Sequence, residues 1–162
     1  MSALGLFLAL LLLVSALHKY VARDQLAVAT AKLVGVSAQF GPLFLLAAGL
    51  VEICAAFVLL LSAWPLVGAL MAAALWGLYA LALLARRGQS LDCGCDFTRR
   101  AKPVTWGAVL RPLVLMSLAL LWATSPERAL HWDTPFAALA LLVLYFAATE
   151  LAALPSRVRR HI

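Results

Sequence analysis

The sequence predicts an all-α integral membrane protein, a bundle of transmembrane helices with five spans. Three observations carry this. The chain has 162 residues, 65% hydrophobic and 12% charged, where a soluble domain is about half apolar and about a quarter charged. Its mean hydropathy is +1.01. Its apolar residues also fall in runs of about 16 to 25, the length that crosses ~30 Å of hydrocarbon at ~1.5 Å per residue.

The first span covers residues 2–17 and closes on His18-Lys19-Tyr20, which reads as a snorkelling and aromatic interface anchor. No Lys or Arg precedes it, so the positive region of a signal peptide is missing despite the small residues Val14-Ser15-Ala16. It therefore reads as a first helix. Residues 20–39 carry Arg23, Asp24, Gln25 and Lys32 among apolar side chains. Such a weakly amphipathic segment lies at the interface or tucks under the bundle. The second span is 40–64, with Gly41-Pro42 near its start, and Trp64-Pro65 makes a tight turn into the third, 66–85. A polar loop, 88–103, separates it from the fourth, 104–123, and the fifth is 135–154, followed by a basic tail. The whole reads as a single transmembrane domain, residues 1–162.

The net charge of +6 does not point to nucleic acid. The basic residues flank apolar spans, where orientation and anionic lipid headgroups account for them. Of the 13 Lys and Arg residues, only Arg128 falls on the side opposite the rest. The positive-inside rule then predicts an inner (plasma) membrane protein with its N-terminus outside and its C-terminus and 88–103 loop in the cytoplasm. Three cysteines are too few for a secreted disulfide scaffold.

That loop carries Cys93-Gly94-Cys95. A disulfide across one residue closes a short, strained ring that is easily reduced, which suits exchange rather than stapling. Gly94 permits the unusual backbone of such a ring. Arg86, Arg87, Arg99, Arg100 and Lys102 lie nearby and favour the reactive thiolate, while Asp92 and Asp96 oppose it. Cys93 and Cys95 are thus the candidate catalytic pair. The competing readings are a metal held by two thiolates, which lacks further ligands close by, and two loop cysteines without a role.

Four other residues qualify as supporting groups. Glu52 falls near the centre of the second span, where an ionisable side chain must face the bundle interior and find a partner. It reads as a proton acceptor, as a group orienting a quinone or a partner thiol, or as a neutral, hydrogen-bonded structural glutamic acid. Cys54 reads as a small buried hydrophobe or as a relay thiol. Arg111 and Glu150 lie at similar depth in the fourth and fifth spans, ~10 Å and ~6 Å from the cytoplasmic face, and are expected to form an ion pair. Arg111 alternatively lowers the thiol pKa or binds a quinone or lipid headgroup. Trp76 and Tyr79, one turn apart, read as packing or as walls of a quinone pocket. Ala- and Gly-rich clusters such as Ala47-Ala48-Gly49 and Ala72-Ala73-Ala74 read as close helix contacts.

Several stretches resemble the methylamine-utilisation MauE branch of the MauE/DoxX redox-associated membrane proteins. These are Leu91-Asp92-Cys93-Gly94-Cys95-Asp96-Phe97, then Pro103-Val104-Thr105-Trp106 and Val109-Leu110-Arg111-Pro112-Leu113. His18-Lys19, Phe40-Gly41-Pro42 and Glu52 sit as in that family. The resemblance runs from about Leu4 to Leu121, and it departs at Asp96 and Pro112. It implies a DoxX-like four-helix core, here with a fifth span. It also implies thiol-disulfide electron transfer with a thioredoxin-like partner, in support of protein maturation outside the cytoplasm. Relatives of the DoxX type imply a quinone as a candidate cofactor and a larger membrane complex as a further candidate partner. A non-catalytic subunit of such a complex, or a metal or small-molecule carrier, is the alternative function.

Overall fold

The computed structural model describes residues 2–61, 64–88, 90–91, 102–124 and 132–153. Six α-helices make up nearly all of it: α1 (Ala3–Val21), α2 (Arg23–Val34), α3 (Gly41–Leu61), α4 (Pro65–Ala85), α5 (Trp106–Thr124) and α6 (Thr134–Ala153). All but α2 are long and apolar enough to cross a membrane. The chain is an all-α membrane protein. Its exposed surface carries Leu43, Leu46, Phe57, Leu81, Leu121 and Phe136, as a lipid-facing surface requires.

Helix α1 starts at Ser2, whose hydroxyl accepts a hydrogen bond from the Gly5 N–H at 3.4 Å. The same hydroxyl accepts from the Trp122 indole N–H at 2.7 Å. Gly5 is required here, because a Cβ on it would lie 2.8 Å from the Trp122 ring. These contacts tie the start of α1 to the end of α5. The helix runs to Val21 rather than stopping at Leu17 as expected. His18 and Lys19 end the apolar run without ending the helix, since neither breaks it and both suit the negative end of its dipole.

The segment 20–39 resolves into α2 and a short 3₁₀ turn, Ala38–Phe40. Helix α2 tucks under the bundle with Leu26, Ala27, Ala29 and Ala31 buried, and it packs mainly on α3. Gly35 closes it in the left-handed conformation, φ 85°, and its N–H returns to the Ala31 carbonyl at 2.8 Å. Gly41 opens α3 at a close crossing, where an added Cβ would run into the Ala27 carbonyl oxygen.

Helices α1 and α3 form one strongly packed pair and α4 and α5 another, with α3 against α4 joining them and α6 lying on α1. The main core is built from Leu8, Leu12, Leu59 and Trp76 together with small residues Ala55, Ala56, Ala69, Ala72 and Ala119. The alanines let backbones approach closely where lipid supplies no hydrophobic drive between helices. Pro112 lies inside α5 and is buried. Beyond α4, Gly88 (φ 84°) donates its N–H to the Val104 carbonyl at 3.2 Å. A two-residue antiparallel ladder then pairs Ser90 with Pro103 and Leu91 with Lys102. It brings together the two ends of the segment that holds the close cysteine pair.

One substitution made at two glycines of α3 separates crossing from propensity. Gly41→Ala is expected to cost about 1–3 kcal/mol through overpacking. Gly49→Ala, where an added Cβ meets nothing within 4 Å, is expected to gain about 0.5–1 kcal/mol from helix propensity. Reversible unfolding in detergent measures both.

Candidate functional site

Glu52 is placed in the middle of α3 and is 1% exposed. Its Oε1 atom accepts from the Lys19 ammonium at 2.7 Å, the Ser15 hydroxyl at 3.0 Å and the Tyr79 hydroxyl at 3.0 Å. Lys19 also donates to the Ser15 oxygen at 2.8 Å and stands 5.3 Å from the centre of the Tyr79 ring. Three helices thus converge on one carboxylate oxygen. The other, Oε2, is buried and accepts no hydrogen bond among the described residues. Lys19 reaches this point because its long stem runs back along the apolar face of α1, leaving its side chain 17% exposed.

Ser15, Lys19 and Tyr79 form part of the wall of a cavity of about 1290 Å³. All six helices contribute to it. Phe7, Leu11, Leu75, Leu118 and Tyr145 line its apolar part, and Ser15, His18, Lys19, Arg86, Thr105 and Arg111 line the end where α1 finishes and α5 begins. Trp76 also lines it, so the Trp76–Tyr79 pair does face a cavity.

The two arginines that close α4 are committed to other elements. Arg86 donates from Nε to the Leu33 carbonyl at 3.4 Å, at the C-terminal end of α2. Its guanidinium occupies the space where a side chain at Gly35 would stand. Arg87 lies 4.2 Å from the ring centre of Trp106, the first residue of α5. Both arginines bind structure at the foot of the 88–103 loop.

Arg111 does not meet Glu150. It donates to the Thr149 backbone carbonyl at 3.2 Å, and the Glu150 side chain is exposed. Among the described residues the ion pairs are Lys19–Glu52 and the exposed Arg23–Asp24. The physical reason is rotational. Equal depth brings residues level, but Glu150 sits one residue, about 100° of helix, beyond Thr149. Cys54 is exposed on the outer face of α3, not buried as expected. Two residues beyond Glu52, it points away from the bundle for the same reason. Cys93 and Cys95 lie outside the described residues. Among the described residues there is no group of three or more His, Cys, Asp or Glu side chains that could hold a metal ion.

The family model for the methylamine utilisation protein MauE matches residues 1–125. The chain belongs to the MauE family. No curated protein and no solved structure matches it. The matched region includes the Glu52 cluster, the 88–103 loop and α5, and it stops before α6. In this MauE-family chain, Ser15 and Lys19 are the site residues that sequence reasoning missed. Lys19 was expected as an interface anchor, and it turns inward instead. A signal was present. Leu8 and Leu12 are buried, at 0% and 1% exposure, and Ser15 and Lys19 continue their stripe at helical spacing. A lysine on the buried face of one helix is the natural partner for a glutamate in the middle of another.

Removing one partner of a buried pair strands the other charge. Lys19→Met is expected to destabilise the protein by about 3–5 kcal/mol, and adding Glu52→Leu to restore most of the loss. Unfolding in detergent of both single variants and the double variant measures the coupling.

Proposed function

We propose that this protein is a membrane thiol-disulfide oxidoreductase in which Cys93 and Cys95 cycle between dithiol and disulfide. Its membership of the MauE family, described by methylamine utilisation, supports a role in maturing an extracytoplasmic protein used in that process. The single observation that carries the reading is the Cys93-Gly94-Cys95 pair in the long polar stretch of an otherwise apolar chain. The ladder of Leu91 with Lys102 supports it by joining the ends of that stretch. A peptide closed at its base presents a dithiol to a partner at lower entropic cost than an open chain.

In the exchange, one thiolate of the pair attacks a sulfur of the partner's disulfide, and the partner's other sulfur leaves as a thiolate. The second cysteine then attacks the mixed disulfide, closing the Cys93–Cys95 bond and releasing the partner fully reduced. Two electrons pass to the partner and two protons end on its thiols. The same steps in reverse reduce the pair. A thioredoxin-like protein has the chemistry to serve as that partner.

The charge pattern supports an orientation in the inner membrane with the N-terminus outside and the loop and C-terminus in the cytoplasm. The cytoplasmic thiol pools keep a dithiol reduced, so this orientation favours electrons entering the pair from the cytoplasm and passing to the disulfide of its partner. Cys54 lies on the outer face of α3, which argues against its use as a relay through the bundle interior.

Thiol trapping tests this on a Cys54→Ser variant that keeps Cys93 and Cys95. In intact cells a membrane-impermeant maleimide is expected to leave the pair unlabelled until lysis, and the pair is expected to shift between oxidised and reduced forms. Cys95→Ser is expected to accumulate a mixed disulfide with the partner. Labelling from outside overturns the orientation. Thiols that never oxidise overturn the redox reading.

A further inference from the structure

The cavity joins a charge-balanced hydrogen-bond donor to an aromatic and apolar interior. An ammonium has three N–H donors. Among the described residues, Lys19 gives two of them, to Glu52 and to Ser15. The other contact of that ammonium among these residues is the Tyr79 ring, whose centre lies 5.3 Å away. That distance leaves a third donor for a molecule inside. The Lys19 side chain lines the cavity and keeps 17% of its surface exposed. Glu52 stands 2.7 Å from the ammonium and answers its charge. The donor therefore suits the oxygen of a neutral group better than it suits an anion.

Aromatic side chains contribute to the lining from four helices: Phe7 from α1, Phe44 from α3, Trp76 and Tyr79 from α4, and Tyr145 from α6. Such faces receive a flat ring by offset stacking or edge contact. Leu11, Leu75 and Leu118 add branched aliphatic surface. Val51, Leu78, Leu110 and Val114 line the cavity and are also exposed, so it opens sideways between helices toward lipid. Its 1290 Å³ exceeds the ~300–1,000 Å³ of sites for compact small molecules. There is space for a ring and the first units of a long tail.

We propose that this cavity binds one lipid-soluble quinone with a prenyl tail. A ring carbonyl accepts from Lys19, the ring lies against Trp76 and Tyr79, and the tail leaves along Leu118 and Val114 through the lateral opening. The Lys19 donor asks for an acceptor oxygen, and its balanced charge asks for a head without charge. The aromatic walls ask for a planar ring, and the lateral opening asks for a molecule that arrives through lipid. A prenyl quinone meets all four demands. The assignment concerns binding and does not rest on the redox reading of the cysteines.

The test uses the full chain purified in a neutral detergent and titrated with decylubiquinone. One saturable site is expected, for which decylbenzene, a ring and tail without carbonyls, does not compete. The carbonyl stretch of the bound quinone is expected at lower frequency than in detergent alone, the signature of an accepted hydrogen bond. The double variant Lys19→Met with Glu52→Leu removes the donor and its partner together, so no charge is stranded. It is expected to lose that shift and to bind about tenfold or more weakly, the scale of a hydrogen bond from a charged group. Leu118→Trp fills the apolar part, leaves the Lys19–Glu52 pair in place, and is expected to lower occupancy on its own. Absence of saturable binding overturns the proposal. So does an unshifted carbonyl stretch, unchanged binding by both variants, or displacement of the quinone by phosphatidylglycerol.

Discussion

A carboxylate in the middle of a membrane helix has to be answered, and the answer organises this molecule. Glu52 lies at the centre of α3 with almost no exposure. An uncompensated charge there costs several kcal/mol by insertion measures. Lys19, Ser15 and Tyr79 meet it from α1 and α4. Meeting it fixes how α1 and α4 rotate about α3, because each side chain must stand on the face toward one oxygen atom. Apolar packing alone is forgiving in lipid, since a leucine is equally at home against a neighbour or an acyl chain. A polar cluster is not forgiving. It specifies one arrangement of three helices, and the cavity beside it takes its shape from that arrangement.

The same economy of polar groups governs the opposite wall. Arg86 reaches the end of α2 and Arg87 stacks on Trp106. Both helix ends flank the loop that carries the cysteine pair. The positive end of α4 therefore links the interfacial helix, the loop and the start of α5 into one unit. Gly35 and Gly88 supply the left-handed backbone on either side of it. The foot of that loop is made of cations bound to a carbonyl and to an aromatic face.

Much of the architecture was legible in the residues. The five spans emerge close to their expected places because the length and apolarity of a span are local properties set by the thickness of a bilayer. Glu52 was legible as an interior group for a similar reason, since a charge cannot face lipid. What was illegible was rotational. Cys54, two positions from Glu52, was expected inside and faces out. Glu150, expected to pair with Arg111, is displaced by the carbonyl of its neighbour Thr149. Lys19 was expected at the interface and turns inward, although its place on the stripe of Leu8, Leu12 and Ser15 carried a hint.

The sequence by itself determined that this chain crosses a membrane, roughly where it does so, which end of the bundle is basic, and where its close cysteine pair lies. Each of these follows from composition along one dimension. Only the tertiary structure decided that Lys19 is the partner of Glu52, that α2 folds beneath α3, and that a cavity lined by Lys19, Arg86 and Arg111 lies between the helices. Those outcomes depend on the angle at which each helix faces its neighbours. In helices this apolar, the stripe that records that angle is faint, and the few polar contacts among them select it.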